Sequence, residues 1–311
     1  MKRLLKRIAT GLAIVVVLGI ASVALAVVIR EDRVFEAPYP EIHASQDPAV
    51  IARGAYLATG PAHCIACHRD PQQRDTADPA MSGGGTHRLP VGTIWTPNIT
   101  PDVATGIGKY SDRELARLLR YGVHPSGRAV LPFMPFNDLS DEDLTAVLSY
   151  LRSRPAVSHA VPANDFNLLG RFARAFLLQP TGPSQPIRSS VPRGPTATYG
   201  EYLANSVGNC VGCHTRRSLR TGELTGPRFG GGMEIQNDRG ASYISPNLTP
   251  DPATGRITAW SEDAFVARFR NATATESPMP WLQFQRMTDD DLRALYRYLQ
   301  ALPPVELRPA S

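Results

Sequence analysis

The chain has 311 residues, enough for two domains, and a formal net charge of +5. That charge belongs to the N-terminus, because residues 1–30 contain five basic and no acidic side chains, whereas residues 31–311 contain 28 of each sign. A balanced main part of the chain argues against nucleic-acid binding.

An uncharged, apolar segment follows the first basic residues. Residues 8–29 are 22 residues long, and as a helix they would span about 33 Å, enough for a hydrocarbon core of about 30 Å. The basic residues before it predict that residue 1 lies in the cytoplasm and the main part of the chain outside. We therefore expect residues 1–30 to be a retained membrane anchor. The alternative is a signal peptide cleaved after Ala24–Ala26, although the apolar run exceeds the usual length of about 7–15 residues.

All four cysteines lie in two short motifs, CIACH at Cys64–His68 and CVGCH at Cys210–His214. C-x-x-C-H is the attachment sequence of c-type haem. Two thiols on one helical turn can each add to a vinyl group of one porphyrin, and the histidine that follows supplies the proximal imidazole. A dithiol redox motif and half of a zinc site are the alternatives, but the two pairs are too far apart in the chain for a four-cysteine zinc site. The sequence predicts two covalently bound c-type haems.

The similarity between the two halves extends beyond these motifs. The matching segments are Arg53–Ala58 with Tyr199–Ala204, Gly83–Gly85 with Gly230–Gly232, Thr96–Asp102 with Ser245–Asp251, and Met134-Pro135 with Met279-Pro280. A long internal repeat indicates two homologous domains. We place a spacer at 31–47, domains at 48–156 and 196–304, a linker at 157–195 and a tail at 305–311. The linker contains many prolines, which argue against a long regular element. We expect it to form one short amphipathic helix, near 166–178, that packs between the domains.

Each half predicts helices rather than strands. Apolar side chains follow the i, i+3, i+4, i+7 spacing at 144–151 and again at 292–299. Ser140 and Thr288 each precede an aspartate by three positions, and Ser111 precedes Glu114, so these residues would begin helices. No alternating pattern of useful length occurs. We expect an all-α fold, with two tandem haem domains preceded by one N-terminal transmembrane helix.

The second axial ligand of each iron decides whether substrate can reach it. His214 is the only histidine of the second domain, which makes methionine the next candidate. Only Met134 and Met279 occupy equivalent positions, each is followed by proline, and aromatic residues lie close by. We predict His68 with Met134 at one iron and His214 with Met279 at the other.

Other interpretations remain open for these side chains. A loop methionine can simply fill the core, and the methionines without a matching partner are Met81, Met233 and Met287, with Met81 aligned to Arg228. At the first haem the rival ligands are His63, His87 and His124. In the repeated P-N-x-T-P-D segment, Asn98 and Asn247 would either hold a turn or bind haem propionates, and a turn is favoured.

The order of these motifs resembles the cytochrome c subunits of membrane-bound bacterial alcohol, gluconate and sorbitol dehydrogenases. The resemblance rests on C-x-x-C-H, the glycine turn, PNITPD or PNLTPD, Met-Pro and a final helix, and it covers most of 48–304. Such subunits commonly carry three haem domains; this chain has two and an N-terminal anchor. The resemblance implies class I cytochrome c-like domains in which Cys64, Cys67, His68 and Met134 serve one haem. Cys210, Cys213, His214 and Met279 would serve the other.

We expect an electron-transfer subunit with no substrate chemistry of its own, at the bacterial cytoplasmic membrane with its haem domains facing the periplasm. Its donor would be a dehydrogenase, and its acceptor a quinone, a terminal oxidase or a small cytochrome. Two alternatives remain: a two-haem enzyme such as a peroxidase, and the cytochrome subunit of an oxidase. A cysteine-ligated oxidising haem would need a fifth cysteine, which the chain lacks.

Overall fold

The computed structural model describes residues 1–73, 78–218, 223–237, 240–272 and 277–307. Helix α1, Lys2–Arg30, has no buried side chain. Within these ranges it is the one helix long and apolar enough to cross a membrane, with a mean hydropathy of 3.1 over its most apolar stretch. The uncharged segment 8–29 is therefore helical throughout, a property that an anchor and a signal peptide share.

The first half combines helices with a short hairpin. Its elements are α2 (Pro48–Thr59), α3 (Cys64–His68), a 3₁₀ turn (Pro71–Gln73), β1 (Thr86–Leu89), β2 (Gly92–Trp95), α4 (Asp112–Tyr121) and α5 (Asp141–Ser153). Side-chain caps start the later helices as predicted. Ser111 and Glu114 form a reciprocal capping box, and Ser140 Oγ accepts a hydrogen bond from the Asp143 N–H.

The linker is ordered against the first half and α1. Strand β3 (Asp165–Phe166) pairs with β2, giving an antiparallel sheet in the order β1-β2-β3. The predicted linker helix forms as α6 (Leu168–Phe176), but it packs against α1, so its predicted place between the two domains is wrong. The reason is tertiary: Arg171 pairs with Glu31, and Gly170 lies against the Val91 carbonyl.

The second half repeats the helical order. It contains α7 (Ala197–Tyr202), a π turn (Leu203–Val207), α8 (Cys210–Cys213), β4 (Glu234–Gln236), β5 (Ser242–Ile244), α9 (Glu262–Arg270), α10 (Trp281–Phe284) and α11 (Asp289–Gln300). Thr288 caps α11 by accepting from the Asp291 N–H, as predicted. The predicted apolar faces of α5 and α11 are buried, with Leu144 and Leu292 at 0% exposure.

The short strands correct the expectation of a purely helical chain. β1-β2-β3 form one sheet, and β4 and β5 pair as an antiparallel hairpin. Their side chains are mostly exposed or half-buried. Strands of two to four residues without a buried face leave no apolar alternation in the sequence, so periodicity could not reveal them.

Two matching glycines set the helix crossings. α2 packs on α5, and α7 packs on α11. A Cβ at Gly54 would lie 1.8 Å from the Ala146 carbonyl oxygen, and one at Gly200 would lie 1.9 Å from the Ala294 oxygen. Backbone approach this close requires glycine. The repeated Gly-x-Tyr-Leu-Ala sequence is therefore the surface on which each terminal helix packs.

The two halves meet through reciprocal hydrogen bonds over a shared apolar core. Tyr56 of the first half donates its hydroxyl to Asp291 at 2.5 Å. The matching Tyr202 of the second half donates to Asp143 at 2.8 Å. Each bond reaches the first turn of the other half's last helix, so the same surface of both halves forms the contact.

The spacer predicted at 31–47 follows the surface of the first half. After a turn at 31–32 it has no helix or strand. The Phe35 N–H donates to the Gly127 carbonyl at 2.8 Å, and the Arg117 guanidinium donates to the carbonyls of Phe35 and Ala37 at 2.9 and 3.1 Å. The segment is extended, as expected, and is bound to the first half along its length.

Candidate functional site

Both C-x-x-C-H motifs fold into a short turn that begins at a left-handed residue. His63 has a φ of 42° and Asn209 a φ of 48°. The carbonyl of each accepts the N–H three residues on, at 2.9 Å from Ala66 and 3.0 Å from Gly212. This geometry puts the paired thiols on one turn. Cys64 and Cys67 thus share a turn in the first half, as do Cys210 and Cys213 in the second.

The histidine of each motif is oriented by a backbone carbonyl. His68 Nδ1 lies 2.9 Å from the Pro97 oxygen, and His214 Nδ1 lies 3.0 Å from the Pro246 oxygen. A carbonyl can only accept, so Nδ1 carries the proton and donates it. The lone pair of Nε2 is then left for a metal, and the carbonyl fixes the ring. Sequence reasoning missed these prolines as orienting groups, although both belong to the repeated P-N-x-T-P-D segment.

Burial adjusts the protonation of both histidines. It lowers the pKa of His68 and of His214, more than the hydrogen bonds to the proline carbonyls raise it. Neutral imidazole is the form that ligates a metal. Both histidines are thus held in the tautomer and charge state that metal ligation needs.

The thiols do not have the character of a redox dithiol. None of the four cysteines forms a disulfide bond. Burial raises the pKa of the Cys64 thiol to about 12 and that of Cys210 to about 12. Reactive dithiols depend instead on a lowered thiol pKa. Within the described part of the chain, no group of three or more histidine, cysteine or acidic side chains is placed to hold a metal ion. Two thiols and one oriented imidazole per turn are the donor set of a c-type haem.

The glycine turn connects each attachment motif to the proline that orients its histidine. The Gly83 N–H donates to the His68 carbonyl at 2.9 Å, and the Gly231 N–H donates to the His214 carbonyl at 2.8 Å. Both glycines have positive φ, 73° and 72°. An added Cβ would lie 2.4 Å from the Thr96 oxygen or 2.5 Å from the Pro246 carbonyl carbon. Only glycine fits this turn.

These bonds correct the sequence alignment by one residue. The structural partner of Gly83 is Gly231 and not Gly230. The neighbouring bonds follow the same alignment: the Met81 carbonyl accepts the Ile99 N–H, and the Phe229 carbonyl accepts the Leu248 N–H. Met81 therefore corresponds to Phe229 rather than Arg228. Both side chains are buried, so Met81 fills the core at a position where the other half uses a phenyl ring.

The two repeated asparagines, Asn98 and Asn247, form turns, which confirms the favoured interpretation. Asn98 Oδ1 accepts from the Thr100 N–H and hydroxyl, while its amide donates to Thr105 Oγ1 and the Val157 carbonyl. Asn247 makes the same bonds to Thr249, Thr254 and the Val305 carbonyl. Both amide groups are fully engaged within the protein, so they close the loop beside the proline carbonyls.

The two candidate methionines lie in identical turns. The Met134 carbonyl accepts the Phe136 N–H at 2.9 Å, and the Met279 carbonyl accepts the Trp281 N–H at 2.8 Å. Pro280, between the last two, has φ −77° and ψ 63°, the geometry of an inverse γ-turn. Both methionines are half-buried against the apolar core. Their ligation of iron stays a prediction, supported by this shared geometry.

The rival histidines have other contacts. His63 Nδ1 lies 3.1 Å from the Pro61 oxygen, and its ring meets Phe284 edge-on at 5.6 Å. His124 Nδ1 lies 2.8 Å from Ser126 Oγ. His87 is exposed on β1, close enough to His68 to lower its pKa. His63 and His124 therefore hold local structure, and His87 remains a rival ligand at the first predicted site.

Comparison with known proteins agrees with this chemistry. Residues 51–155 match the cytochrome c family model. The chain is 31% identical over 280 residues to the cytochrome c subunit of a quinone alcohol dehydrogenase of Gluconacetobacter polyoxogenes, covering 83% of this chain and 57% of that protein. It is 32% identical to the gluconate 2-dehydrogenase cytochrome c subunit of Pantoea cypripedii, covering 82% and 60%.

A relative of matching length is also found. The diheme cytochrome c-type protein of Cereibacter sphaeroides is 27% identical over 97% of this chain and 99% of its own length. By contrast, the chain spans only a little over half of the two dehydrogenase subunits. Residues 51–155 form a cytochrome c domain, and the chain as a whole resembles the cytochrome c subunits of bacterial dehydrogenases.

Proposed function

We propose that this chain is an electron-transfer subunit that carries two c-type haems and serves a dehydrogenase. One observation carries the proposal: in both C-x-x-C-H turns a proline carbonyl holds Nδ1 of the histidine, at 2.9 and 3.0 Å, and leaves Nε2 for iron. The same hydrogen-bond geometry at the histidine of both halves supports two haem domains, at 48–156 and 196–304.

Each half supplies one complete set of residues. Cys64 and Cys67 would attach one haem, and His68 and Met134 would hold its iron. Cys210, Cys213, His214 and Met279 would serve the other haem in the same roles. The haem, when bound, supplies a one-electron iron couple. The protein's own residues would orient the imidazoles, exclude water with the apolar core, and offer each iron a methionine thioether, a ligand that favours a high potential.

The partner and the location follow from the relatives and from α1. Several relatives are named as cytochrome subunits of alcohol, gluconate and fructose dehydrogenases, which supports a dehydrogenase as donor. A quinone, a terminal oxidase or a small cytochrome would accept the electrons. α1 would anchor the chain in the cytoplasmic membrane, with both haem domains in the periplasm. The basic residues before the apolar segment support this orientation.

The direct test is the number of haems. The chain should retain two haem masses after denaturation and acid–acetone extraction, because the thioether bonds are covalent. The double variant Cys210→Ser with Cys213→Ser should retain one, and Cys64→Ser with Cys67→Ser should retain the other. Extractable haem, or zinc in its place, would contradict the proposal.

A second measurement separates electron transfer from catalysis. If both sixth positions are closed by methionine, the reduced protein should bind no carbon monoxide at neutral pH and should not turn over peroxide or thiosulfate. Stoichiometric carbon monoxide binding or rapid turnover would favour a two-haem enzyme instead. Copurification with a copper- and haem-containing core would favour the oxidase subunit.

A further inference from the structure

Helix α6 has an apolar surface that the protein does not cover. Its buried residues are Gly170 and Ala175. On its outer side Leu168 is 83% exposed, Leu169 55% and Phe172 40%, and Leu177, just past its end, is also exposed. A continuous apolar strip on a surface helix marks a contact with a partner or a membrane.

This strip continues the surface of α1. A groove between the two helices is lined by Val16, Ile20, Val23 and Val28 of α1 and by Leu168, Arg171 and Phe172 of α6, and the Arg171 guanidinium is paired with Glu31 just beyond the end of α1. The stretch from Val16 to Val28 corresponds to about 18 Å along a helix. It lies inside the uncharged segment 8–29 that would cross the bilayer.

Paired charges hold α6 at the end of α1. The Arg171 guanidinium donates to both carboxylate oxygens of Glu31, each at 2.7 Å, and Arg174 Nη2 lies 2.6 Å from Asp32. The bond from Arg171 keeps the pKa of Glu31 below its usual range. These contacts fix the apolar strip of α6 beside the C-terminal end of α1, where the uncharged segment 8–29 ends.

The opposite side of α6 is fastened to the first half. Asn167 caps the helix by accepting the Gly170 N–H and donates its amide to the Pro90 carbonyl at 2.8 Å. A Cβ at Gly170 would lie 2.0 Å from the Val91 oxygen, so the helix backbone touches the β1–β2 loop directly. α6 therefore connects α1 rigidly to the first half.

We propose that α6 is an interfacial membrane helix: Leu168, Leu169 and Phe172 insert into the outer leaflet beside α1, and the first half is thereby held against the membrane surface. The inference rests on the proposed anchor. If residues 16–28 lie in hydrocarbon, the apolar side chains of Leu168 and Phe172, which line the same groove, lie at the same depth, and Leu169 is the exposed apolar residue beside them. Arg171, Arg174 and Arg30, which lies over the Phe176 ring at 5.4 Å, would sit at the headgroups, as is typical of helices in the interface.

The test uses the full chain, loaded with haem, in vesicles of phosphatidylethanolamine and phosphatidylglycerol. A photo-crosslinking amino acid is placed singly at Leu168, Leu169 or Val23. The matched control is Ile244 on β5 of the second half, whose 62% exposure is similar to the 55% of Leu169 and the 51% of Val23. Haem content and visible spectra confirm that each variant is folded. We expect the crosslinker at Leu168 and at Leu169 to give lipid adducts in the same yield as at Val23. At Ile244 we expect no lipid adduct.

The controls separate this inference from the anchor. Adducts at Val23 with none at Leu168 or Leu169 beyond the Ile244 level would overturn the inference and leave the anchor standing. Absence of adducts at Val23, or loss of that residue by cleavage, would overturn both. In native membranes, crosslinks from Leu168 to a polypeptide instead of lipid would also overturn the inference, because a partner subunit would then cover α6.

Discussion

The two halves of the molecule are alike where they would hold haem and differ at one pair of equivalent positions where they touch each other. Both attachment turns begin at a left-handed residue, and both histidines are held by a proline carbonyl. By contrast, the equivalent positions Arg53 and Tyr199 carry different residues, and these two side chains meet each other at 3.1 Å.

Because Arg53 and Tyr199 differ, the two carboxylates at the interface, Asp143 and Asp291, have different partners. Asp143 receives Arg53 in a buried ion pair, with both side chains 10% exposed or less, and also the hydroxyl of Tyr202. Its counterpart Asp291 receives the hydroxyl of Tyr56. The comparison teaches that the C-x-x-C-H turns are constrained within each half, whereas the contact surface of two similar halves can differ once they belong to one chain.

The largest expected effect comes from replacing the methionines of the two matching turns. Met134→Ala and Met279→Ala should each abolish the methionine–iron absorption band of one haem. Each should lower that haem's potential by on the order of a hundred millivolts, part of the roughly 0.8 V that axial ligands control. Redox titration with visible spectroscopy measures both effects. Loss of the band in a Met81→Leu or Met233→Leu control would show that the ligand assignment is wrong.

The helix crossings should be equally sensitive in both halves. Gly54→Ala and Gly200→Ala each force a Cβ to within 2 Å of a carbonyl oxygen, and overpacking against backbone should cost about 3 kcal/mol or more. Gly182→Ala is the matched control, because its Cβ would meet only Tyr121 at 3.6 Å. Chemical denaturation measures the free energy of unfolding. A difference between the two variants as large as either effect would break the proposed equivalence.

The two interface carboxylates should differ. Asp143→Asn leaves the Arg53 charge buried without its partner, which should cost about 3–5 kcal/mol. Asp291→Asn keeps an acceptor for Tyr56 and weakens only a charge-assisted hydrogen bond, at a cost of about 1.5–3 kcal/mol at most. Denaturation curves of the two variants, compared with Tyr56→Phe and Tyr202→Phe, measure the gap. Equal losses would mean that Arg53 does not depend on Asp143.

The smallest expected effect is a shared sensitivity to acid. Hydrogen bonds from Thr105 and Thr254 hold the pKa values of Asp102 and Asp251 below their usual range. A lowered folded-state pKa stabilises the protein above the ordinary aspartate pKa of about 4, and this contribution is lost as the pH falls further. Asp102→Asn and Asp251→Asn should each flatten the loss of melting temperature below about pH 4 by a similar, small amount. A flattening in one variant alone would show that the two turns are not equivalent.

Much of the site could be predicted from the sequence because its chemistry is local. Two thiols and a histidine at fixed spacing lie on one turn in any helix, so Cys64, Cys67 and His68 needed no tertiary information. The caps at Ser111, Ser140 and Thr288 depend on bonds within three residues. The repeat of Met134 at Met279 was visible because both halves keep the same proline after it.

Only the tertiary structure decided how these pieces are placed. The carbonyls of Pro97 and Pro246 reach their histidines across about thirty residues of chain, and the one-residue shift from Gly230 to Gly231 appears only through backbone bonds. α6 lies on α1, and not between the halves, because Arg171 meets Glu31 across the fold. Local spacing fixes which residues share a turn, whereas distant charges and carbonyls meet only after the chain has packed.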